Sequence, residues 1–197
     1  FREAVRLDPG DPRCHSNLGG VPEQLGHLDE ARSHFEEAIR IDPRFVAARL
    51  GLGTVLIHGG RLDDAVAQFL EVVRIDPANA RAHERAGTTL AQLGRSDEAY
   101  AQFAEAVRID PQRADTYYNW GTALANQSRH REAAAQFAEA IRLSPTFAHA
   151  HFNLAVTSFF LEDYAGAWRE VHLSRSYGFE PPPGFISMLA SKMPEPR

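Results

Sequence analysis

The chain has 197 residues and is short of several residue types, and each shortage removes a class of explanation. It holds one cysteine, Cys14, so no intrachain disulfide can form and cysteine usage leaves the compartment open. Lys192 is its only lysine, which removes most lysine-based catalysis. No stretch approaches the roughly 18 unbroken apolar residues of a membrane helix, so membrane insertion is not expected. Basic charge is scarce too: 21 Lys and Arg face 26 Asp and Glu, for a net charge of −5. A phosphate-binding surface for nucleic acid is therefore not expected either. What is present, 44% hydrophobic and 24% charged residues, matches an ordinary folded chain rather than a low-complexity one. The chain opens on Phe1 rather than Met, and a native start upstream is the expectation.

An internal repeat dominates the sequence. Prolines fall at Pro9, Pro43, Pro77, Pro111 and Pro145, every interval being 34 residues. Glycines keep the same beat at Gly19, Gly53, Gly87 and Gly121, and alanines at Ala31, Ala65, Ala99, Ala133 and Ala167. Phenylalanines do so at Phe1, Phe35, Phe69, Phe103 and Phe137. Within a copy, Ala99, Phe103, Ala106 and Val107 follow helical spacing and define one buried face. Gly87 and Ala99 are small enough to let two helices approach closely. Gly26, Gly60 and Gly94 suit a turn with positive φ, and acidic pairs such as Asp63-Asp64 follow them, favoured in a helix first turn. Each Ile-Asp-Pro ends a second helix, because a residue before proline avoids helical φ/ψ. One copy thus reads as helix, turn, helix, proline stop.

This pattern resembles the tetratricopeptide repeat (TPR) family over nearly the whole chain; Trp120-Gly121, Leu124, Ala133, Phe137, Ala140 and Pro145 form its cleanest copy. The resemblance implies an all-α, right-handed superhelical solenoid of antiparallel helix pairs. The phasing predicts full copies at 12–45, 46–79, 80–113 and 114–147 and a degenerate fifth at 148–181. The fifth has Ala155, Val171 and Phe179 where Gly, Phe and Pro are expected. Residues 1–11 read as the end of a truncated preceding copy, and 182–197 as a short capping helix and tail. Val21-Pro22 falls inside the first helix of the first copy, which is expected to kink or fray after Gly20.

Catalytic signals are poor, and the chain reads as non-enzymatic, with no cofactor and no metal. His149 and His151 are two apart on a helix and face different ways, so they cannot chelate together. His15, His83 and His151 share one repeat slot and read as packing residues. Gly51-Leu52-Gly53 and Gly59-Gly60 match no phosphate-binding fingerprint.

In TPR proteins the first helix of each copy lines a concave groove that binds a peptide or protein segment. Carried onto this chain, one inward slot holds Ser16, Leu50, Glu84, Tyr118 and Phe152. A second holds Gly20, Thr54, Thr88, Thr122 and Val156, and a third Glu23, Ile57, Ala91, Ala125 and Phe159. Small residues floor the middle, and aromatics at the C-terminal end supply large burial at low entropic cost. Phe159 and Phe160 have an equal alternative, packing beneath the cap. Asn17, Asn119 and Asn153 share a slot that in some TPR proteins forms a ladder binding peptide backbone, with Gly51 and Arg85 interrupting it here. Arg81 and Arg85 match the last two basic positions of the carboxylate clamp of chaperone adaptors; the rest of that clamp is absent. The expected groove residues are therefore Leu50, Arg81, Arg85, Tyr118, Asn119, Thr122, Phe152, Asn153 and Phe159, and the expected partner is a protein or peptide. Two rivals stand beside this reading. The chain is one domain of a larger enzyme, for example a glycosyltransferase, or it is a scaffold that forms a homo-oligomer through its N-terminal repeat edge.

Overall fold

A computed structural model describes residues 10–24 and 27–196; of residues 21–24 it describes only the backbone. The expectations for residues 1–9 and for Gly26 lie outside the described residues. Among those residues there are eleven helices and no strand. They are α1 (Pro12–Gln24), α2 (Leu28–Ile41), α3 (Val46–His58), α4 (Leu62–Ile75), α5 (Ala80–Gln92), α6 (Ser96–Ile109), α7 (Ala114–Asn126), α8 (His130–Leu143), α9 (Ala148–Phe160), α10 (Tyr164–Ser176) and α11 (Pro183–Lys192). They form two compact units, divided after Ile109. Both are built from antiparallel helix pairs.

The turn chemistry explains the pairing. Gly60 and Gly94 sit between the two helices of a pair at φ 73° and 75°, where glycine carries no steric penalty. The same turn in the next two pairs is made by Ser128 and Glu162 at φ 58° and 65°, a conformation that costs an ordinary residue about 1–2 kcal/mol. Each of the first four pairs then ends where proline follows. Asp42 is extended (φ −129°, ψ 99°), as the residue before proline must be. Its carboxylate accepts from the Arg44 backbone N–H at 2.9 Å, and Asp76 and Asp110 make the same turn at 3.2 Å with Ala78 and Gln112. The helix carrying Pro22, expected to kink or fray after Gly20, continues to Gln24. Proline removes one backbone donor, and the bonds on either side suffice to carry the helix on.

Packing within a pair is ring against glycine. Phe69 is fully buried and its ring occupies the space where a side chain at Gly53 would begin. Phe103 lies in the same relation to Gly87: a Cβ there would meet the ring, and the Ala99 carbonyl oxygen, at 3.1 Å. Phe137 faces Gly121, at 2.7 Å from a Cβ on that glycine. In the fifth pair both members change together. Ala155 replaces the glycine and Val171 the phenylalanine, and both are fully buried. The larger residue at one position accompanies a smaller one at the other, a change in the compensating direction that close packing requires. Transplanting this solution is a direct check. Gly121→Ala combined with Phe137→Val is expected to cost at least about 1 kcal/mol less than the sum of the two single changes, measured as a double-mutant cycle by urea unfolding.

In the first unit Ala31, Phe35, Leu52, Val55, Leu56 and Phe69 form one core spanning α2 to α4, with Ala86 of α5 against it. In the second, Ala155, Trp168, Val171, Phe185 and Leu189 form a core that joins α9, α10 and α11. Helix α11 begins with Pro183 at its first position, where the missing N–H costs nothing.

Candidate functional site

In the first unit, α3 and α5 border a depression of about 390 Å³ lined by Ala47, Leu50, Gly51, Thr54, Phe69, Arg81 and Arg85. Its floor is small because Gly51 has no room for a side chain: the Phe35 ring already fills the space a Cβ would take. The Thr54 hydroxyl is turned away from any ligand, donating to the Leu50 carbonyl at 3.0 Å. Arg81 and Arg85 stand one helical turn apart on the far wall, Arg81 exposed and Arg85 half-buried.

The charge at this rim differs from that elsewhere. On the second helices, arginines are matched to glutamates three residues away. Arg74 donates to Glu71 at 2.8 and 2.6 Å, and Arg142 donates to Glu139 at 2.9 and 2.7 Å. The donated hydrogen bonds hold both carboxyls below the usual glutamate range, against a smaller opposing effect of desolvation. Arg81 and Arg85 have no such carboxylate: among the described residues neither guanidinium has an ion-pair or hydrogen-bond partner. A guanidinium pair of this kind, over an apolar floor, can take a carboxylate.

In the second unit the expected residues divide into two groups. Tyr118 is half-buried on α7, its ring 4.8 Å from Phe147 and 6.0 Å from Phe137. Thr122 donates to the Tyr118 carbonyl at 2.9 Å and accepts from the Asn153 amide at 3.5 Å, so Tyr118, Thr122 and Asn153 share one face of α7 and α9. Asn119 is half-buried on α7. Phe152 and Phe159 turn toward the last helix instead. Phe152 lies edge-on to Phe185 at 5.6 Å and against Phe179 at 5.2 Å. Phe159 packs on Tyr164 and Phe185 at 5.7 and 5.9 Å. Of the adjacent aromatics, Phe159 is partly buried and packs against the core, while Phe160 is 57% exposed and stacks on His130 at 4.6 Å.

A set of polar contacts was not read from the sequence. In one recurring slot on the first helices, Arg49, His83, Tyr117 and His151 each reach the carbonyl of the proline six residues earlier. Three of them also reach a side chain 19 residues later: Arg49 to Gln68 at 3.0 Å, His83 to Gln102 at 2.8 Å and His151 to Glu170 at 2.7 Å. The side chain ties first helix, second helix and incoming turn together. Burial pushes the Tyr117 phenol up, the Glu139 carboxylate adding to the effect. The signal was a polar residue recurring at a fixed offset from the slot, Gln68, Gln102 and Glu170, and it is visible only when two helices are read together. Among the described residues no group of three or more His, Cys, Asp or Glu is placed to hold a metal ion, and no helix is long and apolar enough to cross a membrane.

Tetratricopeptide repeat models match residues 23–80, 80–113 and 118–171. The chain belongs to the tetratricopeptide repeat family. Among solved structures, YrrB, described as a TPR protein with an unusual peptide-binding site, is 22% identical, with 98% of each chain covered and a TM-score of 0.72. PilF of Pseudomonas aeruginosa is 22% identical over 91% of this chain and 83% of its own, with a TM-score of 0.81. MamA is 20% identical over 81% of this chain and 94% of its own, with a TM-score of 0.73. A comparison with curated protein sequences finds no match.

Proposed function

We propose that this chain is a non-catalytic binding module that holds a segment of another protein against the inward faces of its first helices. The observation that carries the reading is the depression between α3 and α5, where an apolar floor at Ala47 and Leu50 adjoins two arginines without carboxylate partners among the described residues. Its chemistry suits an apolar side chain followed or preceded by a carboxylate. Membership of the TPR family and the described peptide-binding site of YrrB support the same reading. In the second unit the contact face is Tyr118, Thr122 and Asn153. Phe152 and Phe159 support it from below by packing against α11.

The test starts with affinity capture of a partner by the purified chain, followed by mapping of the bound segment. That segment is then titrated against Arg81→Ala/Arg85→Ala and against Tyr118→Ala/Asn153→Ala. A charge-assisted hydrogen bond contributes about 1.5–3 kcal/mol, so losing both guanidinium groups is expected to weaken binding at least tenfold. Higher salt should weaken the wild type more than this variant. Unchanged affinity in both variants, with unaltered circular dichroism, would place the site on another face and discard the proposal.

A further inference from the structure

We infer that His151 and Glu170 hold one proton between them as a buried imidazolium–carboxylate pair, which makes the stability of the second unit fall as pH rises. Both side chains are nearly sealed: His151 is 3% exposed and Glu170 is 7% exposed. The Nε2 of His151 lies 3.0 Å from the Pro145 carbonyl oxygen, which can only accept, so Nε2 carries a hydrogen. The other ring nitrogen, Nδ1, lies 2.7 Å from a Glu170 oxygen. In a neutral ring with Nε2–H, Nδ1 is an acceptor, and an ionised carboxylate is also an acceptor. Two lone pairs cannot face each other at that distance in a buried site, so a proton lies between them. Arg169 decides where it resides. Its Nε sits 3.2 Å from the other Glu170 oxygen and favours the carboxylate, which leaves the imidazole protonated on both nitrogens. Tyr177 also lies against the pair, its ring centroid 5.4 Å from that of His151.

The same molecule contains the neutral version of the arrangement. His83 makes the same two contacts, to Pro77 at 3.3 Å and to Gln102 at 2.8 Å. The Gln102 atom facing Nδ1 is its amide oxygen, but turning the amide over brings its NH2 to the same place as a donor, so that site needs no added proton, whereas both oxygens of Glu170 can only accept. One residue, Glu170 against Gln102, separates a proton-binding rung from a neutral one.

The sign follows from proton counts. Above about pH 6.5 the unfolded chain has a neutral histidine and an ionised glutamate, whereas the folded pair keeps one proton. Folding takes up a proton, so the folding equilibrium constant drops by up to tenfold for each pH unit, until the folded pair itself loses the proton. Below about pH 6.5 the unfolded histidine is protonated too, and the dependence disappears.

Trp120 and Trp168 are the only tryptophans and both belong to the second unit, so tryptophan fluorescence of the full chain reads that unit alone. The experiment is urea unfolding followed by this fluorescence from about pH 6.5 to about pH 9.5, for wild type and Glu170→Gln. The wild type is expected to lose stability with pH, approaching tenfold per unit at the lower end, while the variant is expected to stay level. Slopes are compared rather than absolute stabilities, so a general weakening of the variant does not obscure the result. Parallel slopes would overturn the inference. So would a nitrogen spectrum at neutral pH in which His151 Nδ1 is unprotonated. In the converse direction, Gln102→Glu should give the amides of α5 and α6 a pH-dependent hydrogen exchange beyond the intrinsic rate change.

Discussion

Gly121→Leu is expected to lower the stability of the second unit by at least about 3 kcal/mol, the upper end of what overpacking costs. For a unit of this size that corresponds to a fall in melting temperature of more than about 12 °C. A Cβ on Gly121 would already lie 2.7 Å from the Phe137 ring, and leucine adds three further carbons beyond it. Phe137 is fully buried and has nowhere to retreat, since Tyr118 stands 6.0 Å away on the same helix as the glycine. The helices must therefore separate, and the alanines at the same contact, Ala133 and Ala140, lose their neighbours with it. Gln127→Leu provides the contrast. Gln127 is exposed at the end of α7, where it ends the helix with an αR-like backbone (φ −94°, ψ 13°) that any residue can adopt. Its replacement is expected to shift stability by no more than about 0.5 kcal/mol. Thermal unfolding followed by circular dichroism reads both. Equal melting temperatures would mean that the ring-in-glycine contact does not hold the helix pair together.

The fold was legible because a strong constraint repeats. Phe35 at Gly19, Phe69 in the gap at Gly53, Phe103 at Gly87 and Phe137 at Gly121 are one contact made four times, and a 34-residue spacing of small and large residues announces it. The pre-proline aspartates were equally readable, since proline restricts its predecessor whatever the surroundings. Two local features were not. Ser128 and Glu162 take the left-handed turn that glycine takes earlier, and no residue preference marks them for it. Pro22 looked like a breaker, yet the helix passes through it to Gln24.

The candidate site was less legible than the fold, for a geometric reason. Repeat register assigns a residue to a helix face, but it does not say what covers that face at the end of the array. Leu50, Arg81 and Arg85 occupy helix faces that border an open depression. Phe152 and Phe159 occupy corresponding faces two and three copies later, and α11 lies against them. The difference comes from Phe185 and Leu189, residues outside the repeat pattern altogether. The histidine rung escaped notice for a related reason. A hydrogen bond between two helices depends on two positions 19 residues apart, and neither one is informative alone.

Trp168→Ala is the expected second-largest effect, and it bears on how those aromatics are used. Trp168 is 1% exposed and sits where α9, α10 and α11 meet, with Val171, Phe185 and Leu189 around it. Its indole N–H donates to the Met193 carbonyl at 2.9 Å, which fastens the chain just beyond α11. Truncating a buried tryptophan costs about 3–5 kcal/mol, through lost burial and the cavity left behind. Much of that loss should fall on α11, whose ten residues are too few to remain helical without their apolar contacts. As α11 loosens, the faces of Phe152 and Phe159 that it covers become accessible. The variant should therefore melt more than about 10 °C lower and bind an apolar dye that the wild type does not. Trp168→Phe separates the two contributions. It keeps most of the buried surface and removes only the indole donor, so its cost should be nearer the 1 kcal/mol of a single neutral hydrogen bond. If Trp168→Ala melted with the wild type and bound no dye, α11 would not be what covers Phe152 and Phe159. Both rings would then rejoin Tyr118 and Asn153 as direct contacts for a bound segment.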